Sequence, residues 1–418
     1  MTVFEKFEPI GRIDWSKFTD PMVSTGVKLM KQIEEFGFEA YIVGGAVRDI
    51  AMGDFDVHDI DIATNMPIDE IKDKFRTYEY GGGERHGTVI VHMGSFDYEL
   101  TQFRTEGAYS DKRRPDSVEF VQSFEEDTKR RDFTINSMGI DSNGTFIDYH
   151  GGLSDIEHGI LKTVGDAKER FDEDALRILR AIRFASRFGF TIDALTLQAM
   201  IDLAHTVTST SIERIRDELV KTISYGSDKF AYALEIIATC GLWDLIIPET
   251  PLTADKIKSI RALGTKSPTK VFAVLMQDMK GKKIEALCRR LTFTVDEMKM
   301  ISFIVDNLQS YKELDSIDRQ KALSIVTHSD FEALREVYIA IFSSDIKKSI
   351  ETISNISTFS IVKGRGKEIN QIIQAEGLVG VQFGQMVHTV FQWLFAEHDR
   401  GITHSTADIE FFVKEHRE

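Results

Sequence analysis

Cysteine is nearly missing: Cys240 and Cys288 are the only two in 418 residues. Two thiols make neither a disulfide framework nor a metal-ligand spacing. That excludes a stapled secreted scaffold and fits a reducing, cytoplasmic compartment. Proline is scarce, with 7 residues against a typical ~5%, so helices meet few breakers. No window offers the ~18 uninterrupted apolar residues of a membrane span. The opening MTVFEKFEPIGRIDWSKF lacks a basic stretch followed by an apolar one, so no secretory leader is expected. Positive charge is also in deficit: 51 Lys and Arg face 67 Asp and Glu, a net charge of −16. Taken alone this argues against a polyanionic partner, because phosphate contacts need Lys and Arg. A sum over the chain does not exclude a local patch.

What is present is ordinary. With 42% hydrophobic and 28% charged residues, the chain is neither disordered nor collagen-like. Its length exceeds one domain of roughly 100–200 residues and predicts two to four. In the first third, EAYIVGG, DIDIAT, GTVIVHM, FDYELTQF and SVEFVQ read as short strands bounded by Gly, Asp or Ser. Helical stretches are expected around Thr25–Phe36 and Ile68–Phe75. This mixed region should end near His150–Gly152. From Asp155 onward the strand signal nearly vanishes. Amphipathic helices are predicted at Glu169–Phe188, Asp193–His205, Ile212–Ser224, Lys229–Thr239 and Lys270–Met279, and further on at Asp318–Val326, Phe331–Ile341 and Gln382–Phe395. There is no fixed-period repeat.

Five constellations carry chemistry. GGAVRD follows the strand YIV. Gly44 and Gly45 let backbone N–H groups approach a phosphate, and the following helix N-terminus favours an anion. Arg48 adds a charged fork in the first turn. Alone, the motif is also a plain strand-to-helix turn. In HDIDIAT, Asp59 and Asp61 are two apart on an expected strand, so both leave one face. Two such carboxylates repel unless a cation lies between them, and Mg²⁺ is a hard, oxygen-loving candidate. A solvated edge strand is the plainer alternative. Ten residues after a phosphate-type turn, the metal reading prevails. Glu99, in DYELTQFR on a later strand, would complete a carboxylate triad suited to phosphoryl transfer.

RRDFTIN offers its consecutive arginines, Arg130 and Arg131, with Asp132 and Asn136 to a triphosphate and a ribose hydroxyl, and Asp132 is also a candidate helix cap. The densest stretch is ERFDEDALRILRAIRFASRFGF. At 100° per residue, Asp174, Arg177, Arg180, Arg183 and Arg187 share one half of the wheel. Phe184 and Phe188 break the pattern by sitting among the arginines. Four arginines on one face repel unless anions arrive, although a solvated, ion-paired face is the plain alternative. Asp174 and Arg177 stand at i, i+3. An acceptor beside donors matches cytosine and adenine, each with an amino donor next to a ring-nitrogen acceptor. Uracil and guanine present a carbonyl where the carboxylate needs a donor.

Together, YIVGGAVRD, DIDIAT, HGTVIV, YELTQFRTEGAYSDKRRPDSVEF, EEDTKRRDFTINSMGID, DYHGGLSDI, TVGDAKERFDEDALRILRAIRF and SIERIRDELVK resemble the class II tRNA nucleotidyltransferases, the CCA-adding enzymes of the polymerase-β-like nucleotidyltransferase superfamily. The motifs stand in family order over roughly residues 39–221. The resemblance implies an α+β head, a small mixed sheet with flanking helices, followed by an all-α neck, body and tail. The expected domains are 1–154, 155–226, 227–311 and 312–418. It implies Asp59 and Asp61 as catalytic metal ligands and Gly44, Gly45 and Arg48 as the phosphate turn. Arg131 and Asp132 become triphosphate and ribose contacts. Asp174 and Arg177 become the amino-acid template for the base, with Arg180 and Arg183 as further nucleotide contacts. Arg104–Pro115 matches the loop associated with switching from C to A addition, and Glu213 and Arg214 match a motif that steadies the neck. The implied substrates are CTP, ATP and tRNA, with Mg²⁺, in a monomer or homodimer. Members that add only A, poly(A) polymerases and a catalytically silent RNA-binding relative stay open as alternatives. Lys256, Lys258, Lys266 and Lys270 are candidate tRNA contacts. About 20 residues precede the first expected helix, and His398–Asp399 reads as an isolated surface pair.

Overall fold

The computed structural model describes residues 11–57, 59–78, 87–107, 117–314, 317, 319–326, 328–344, 365–398, 400 and 402–416. The loop expected at 104–115 is therefore described only to residue 107. Residues 1–10, Asp399 and the side chain of His398 lie outside the described set. The chain divides into two compact units, Met1–Pro251 and Leu252–Glu418.

The first unit is built on a seven-stranded sheet. Its strands are β1 (Ala40–Val43), β2 (Asp61–Thr64), β3 (Thr77–Tyr78), β4 (Thr88–Met93), β5 (Phe96–Gln102), β8 (Gly139–Ile140) and β9 (Phe146–Ile147). They lie in the order β3-β4-β5-β2-β1-β8-β9. The β2–β5 pair is parallel and sets Asp61 beside Glu99. The antiparallel β1–β2 pair sets Val43 beside Asp61. A separate hairpin joins β6 (Arg104–Glu106) to β7 (Val118–Phe120). Alternation along β5 buries Tyr98 and Leu100 and leaves Glu99 exposed.

Helix α1 (Pro21–Glu35) is capped by the Asp20 carboxylate, which accepts the Met22 N–H at 2.7 Å. It buries Leu29, Met30 and Ile33. Helix α2 (Gly45–Ala51) follows β1 directly. Helices α3 (Ile68–Lys74), α4 (Phe124–Lys129) and α5 (Gly152–His158) complete the α+β part. Phe124 of α4 stacks on Tyr41 at 4.4 Å and tilts against Phe103 at 5.5 Å, which fastens α4 to the sheet.

Helices α6 (Ala167–Glu173) and α7 (Leu176–Phe188) replace the single helix expected over 169–188. Asp174 is extended, with φ −143° and ψ 104°, and bends the chain between them. Helices α8 (Ala194–Asp202), α9 (Ile212–Ile223), α10 (Ser227–Thr239) and the short α11 (Trp243–Ile246) finish the first unit. β10 (Ile160–Leu161) and β11 (Thr191–Ile192) form a two-residue parallel ribbon that the sequence did not announce.

The second unit is helical among its described residues. It contains α12 (Ala254–Leu263), α13 (Pro268–Leu275), α14 (Lys282–Arg290), α15 (Val295–Lys312), α16 (Arg319–Val326) and α17 (Phe331–Phe342), then helices Gly366–Ala375, Gly380–His398 and Thr406–Glu415. Capping boxes start two of them, Thr294 with Glu297 and Ser405 with Asp408. Val271, Phe272, Ile301, Ile304, Tyr311 and Val337 are buried.

Lys256 departs from its expected place on a phosphate-binding surface. It is fully buried, with its ammonium 3.0 Å from Asp278. The methylene stem of a lysine packs as apolar surface, and Lys256 shares the buried face of α12 with Ser259, Ile260 and Leu263. Lys270 is ion-paired with Glu336. Lys258 and Lys266 are exposed.

Candidate active site

The turn after β1 is built by conformation. Gly44 has φ +74°, a region that L side chains rarely adopt. A Cβ there would stand 3.3 Å from Asp61 Oδ2, so the turn and the carboxylate are in direct contact range. Asp61 opens β2, whereas Asp59 lies just before the strand and not on it. The expected same-face argument therefore fails in its detail. The two side chains still feel each other. Burial first, then the charges of Asp59 and Glu99, push Asp61 up to about 6, against the pull of Arg131. Desolvation and Asp59 likewise raise Glu99. Three carboxylates thus share one negative field at the mouth of the phosphate-type turn. Among the described residues no group of three or more His, Cys, Asp or Glu is arranged to hold a metal ion, so Glu99 does not complete a ligand triad with Asp59 and Asp61. The donors are hard oxygens whose charge is under-compensated. That fits Mg²⁺, which is commonly held by one or two carboxylates plus substrate phosphates.

Beside this corner opens a cavity of about 580 Å³. Eight arginines line it: Arg48, Arg130, Arg131, Arg177, Arg180, Arg183, Arg187 and Arg214. Four acids, Asp61, Glu106, Asp132 and Asp174, do so as well. Gly44, Gly45 and Asn136 are also on its wall. Eleven of the thirteen residues expected to bind nucleotide or catalyse are therefore brought together, and Asp59 and Glu99 stand outside the lining.

Each arginine is held by a partner. Arg48 is buried and donates to Asn136 Oδ1 at 2.7 Å and to Asp49 at 2.9 Å. Its guanidinium lies 5.3 Å from the Phe184 ring centre and 4.9 Å from that of Phe188. Arg180 and Arg183 face Phe184 at 5.5 and 4.3 Å. The two phenylalanines that interrupt the arginine face are thus platforms for guanidinium groups. Arg180 donates to Asp132 Oδ2 from Nε at 2.9 Å and Nη2 at 2.6 Å. Burial alone would raise Asp132, but the Arg180 charge and the hydrogen bonds from Arg180 and Asn136 hold it below the usual carboxylate range. Asp132 caps no helix here. The 3-10 turn Thr134–Asn136 starts from Phe133, and Asp132 accepts the Phe133 N–H at 2.9 Å. Arg183 donates to Glu218 at 2.6 Å.

At the bend between α6 and α7 the expected pairing is rewired. Asp174 accepts from Arg214 Nη2 at 2.9 Å and from the Leu176 N–H at 3.0 Å. Arg177 pairs with Glu173 and donates to the Arg170 carbonyl at 3.0 Å. Asp174 and Arg177 both reach the cavity, each held by its own neighbour. Arg214 had been expected only to steady the helices. It lines the cavity and orients the Asp174 carboxylate, while Glu213 is exposed. Glu106 was not singled out for the cavity by sequence, whereas Arg130 opens the RRDFTIN constellation expected to meet a triphosphate and does line it. Arg130 bridges Asp127 at 2.8 Å and Glu106 at 3.2 Å, and Arg131 shares Asp127 at 3.0 Å. The doubled arginine of RRD was the available signal.

A polyanion fits the arginine wall, and a planar group with a donor beside an acceptor fits the Asp174 end. A model described as the poly A polymerase head domain matches residues 40–162. Another, described as the probable RNA and SrmB-binding site of polymerase A, matches residues 189–252. The CCA-adding enzyme of Lactococcus lactis subsp. cremoris is 39% identical over 295 residues, 69% of this chain and 71% of that protein. The chain belongs to the CCA-adding enzyme family.

The match to the Lactobacillus delbrueckii subsp. bulgaricus member is 45% identical over 211 residues. There the chain spans about half the relative's length, 52%. The crystal structure of the Bacillus stearothermophilus CCA-adding enzyme in complex with CTP is similar at a TM-score of 0.71 and 28% identity, covering 91% of this chain and 94% of that one. The α+β head followed by helices is therefore the fold of the family. No helix among the described residues is long and apolar enough to cross a membrane.

Proposed function

We propose that this chain adds C, C and A to the 3′ end of tRNA from CTP and ATP, without a nucleic-acid template. The observation that carries the reading is the close approach of the Gly44 turn to Asp61 in the wall of a cavity that is also lined by Asp174, held by Arg214. The relatives named CCA-adding enzyme, and the similar structure in complex with CTP, support it.

The triphosphate lies along Arg48, Arg131 and Arg180, with the backbone N–H groups of the Gly44–Gly45 turn toward its oxygens. Asp59 and Asp61 are the residues that would hold Mg²⁺. When bound, the ion supplies charge neutralisation at the reacting phosphate. The tRNA 3′ oxygen forms a bond to the α-phosphorus as the bond from that phosphorus to the bridging oxygen breaks, and pyrophosphate leaves. Glu99, raised by desolvation and Asp59, would take the hydroxyl proton at its carboxylate. The Asp174 carboxylate accepts from the amino group of cytosine or adenine, and Arg177 donates to the adjacent ring nitrogen. The helical regions 155–226, 227–311 and 312–418 would serve base recognition and tRNA binding.

The test uses labelled tRNA ending at the discriminator base and, separately, in CC, with Mg²⁺ and CTP, ATP or both. Two added residues with CTP alone and three with both are expected. Addition of A only to the CC-ended tRNA would make it an A-adding enzyme. Long A tracts on any RNA would make it a poly(A) polymerase. Binding without any incorporation would make it a silent RNA-binding relative.

A further inference from the structure

The segment ahead of α1 forms a strap along the free edge of the sheet. Gly11 accepts the Phe146 N–H at 2.7 Å, and the Ile13 N–H donates to the Gly144 carbonyl at 2.7 Å. Arg12 bridges Thr145 in antiparallel fashion. Ile13 is buried. Trp15 Nε1 donates to the Asp141 carbonyl at 3.2 Å. The β8–β9 turn is shaped for this strap. Gly144 has φ +85°, and any Cβ there would stand 2.0 Å from the Ile13 carbonyl oxygen.

Beyond this anchor the strap reaches the catalytic side. Trp15 tilts against Phe18 at 5.4 Å, and Phe18 meets the ring of Phe55 edge-on at 5.2 Å. Phe55 lies between α2 and β2, four residues before Asp59. In that connection Val57 and Ile60 are buried, whereas Asp59 is exposed. Asp59 lies outside the strand, so the sheet ladder that fixes Asp61 does not fix Asp59. Its placement depends on how the connection is held.

We propose that the strap Gly11–Phe18 is a positioning element for Asp59, acting through the Phe18–Phe55 contact. It sets the distance between Asp59 and Asp61 and so the affinity for a divalent cation. This rests on the carboxylate reading above. A metal ligand is only as well placed as the residues behind it, and outer residues typically alter affinity by roughly 10–100-fold.

The experiment titrates Mn²⁺ into the full chain, without nucleotide, by electron paramagnetic resonance. Asp61→Asn defines binding at this site. Phe18→Ala and Gly144→Val disturb the strap at two points, Phe18→Leu restores an apolar contact, and Phe36→Ala removes an exposed ring elsewhere on the same unit. Both disturbing variants should weaken Mn²⁺ binding by about tenfold, with CTP binding in the absence of metal unchanged. Phe18→Leu should recover most of the loss, and Phe36→Ala should match wild type. If Phe18→Ala does not fold, Gly144→Val and Phe18→Leu read the same quantity. Wild-type Mn²⁺ binding with unaltered variants overturns the strap proposal alone, as does a parallel loss of CTP binding. A wild type with no Mn²⁺ binding sensitive to Asp61→Asn overturns the carboxylate reading and the strap with it.

Discussion

Asp174 has two holders, the Arg214 guanidinium and the Leu176 amide, and one face toward the cavity. Under the function proposed above, such a fixed acceptor selects the amino groups of cytosine and adenine. Asp174→Ala should therefore let UTP and GTP in, with discrimination falling by about 10–100-fold, the range expected when a hydrogen-bonding site loses its reading group. Single-nucleotide incorporation with each of the four triphosphates checks this. Unchanged rejection of UTP and GTP would refute the pocket argument.

Asp127 is a different kind of residue, because its role is internal. It is fully buried, and burial alone would raise it, but Arg131 and Arg130 pull it below the usual carboxylate range. A depressed folded value means that its stabilisation is complete above the unfolded value of about 3.9 and is lost as pH falls through the lower, folded one. Asp127→Asn should destabilise by roughly 3–5 kcal/mol near neutrality, because it leaves the half-buried Arg131 without its anion and Arg130 with Glu106 alone. The gap between wild type and variant in thermal melts should narrow below about pH 4.

At the scale of elements, sequence reading succeeded where local chemistry and periodicity agreed. The stretches around YIV, DIAT and YEL are β-branched or aromatic and flanked by turn residues, and they form strands as expected. The chain bend at Asp174 was not legible, because ERFDEDALRILRAIRF keeps helical periodicity across the break. The break is stabilised by Arg214, 40 residues away, which no local pattern reports. Asp59 was legible as a partner of Asp61 but not as a residue off the strand, since two-residue spacing looks the same either way. The role of Phe184 and Phe188 was visible only as an irregularity, and it became clear once Arg48 from α2 was seen against both rings. Lys256 misled for the opposite reason: a lysine among other lysines reads as surface, yet α12 turns it into the core. Lys256→Met should shift the melting temperature and leave the salt dependence of tRNA binding alone. Lys258→Ala, if it contacts phosphate, should lower the log–log slope by about 0.7–0.9.

For the whole molecule, a net charge of −16 and a cavity lined by eight arginines are compatible because charge is distributed unevenly. With no anion present, those guanidinium groups repel one another, even with their carboxylate partners. Filling the cavity should therefore stabilise the first unit. At CTP one hundred times its dissociation constant, mass action gives about 2.7 kcal/mol. The shift in melting temperature should shrink as salt rises, because screening weakens the attraction. A salt-independent shift would place the ligand elsewhere.

The contact between Gly44 and Asp61 also limits how this chain can vary over generations. One methyl group at position 44 meets both an unfavourable backbone angle and the carboxylate 3.3 Å away. A single codon change there would crowd the reacting corner while leaving the arginine wall, the Asp174 bend and the helices as they are. Position 44 therefore tolerates glycine alone without strain at the carboxylate corner, whatever the rest of the chain accumulates.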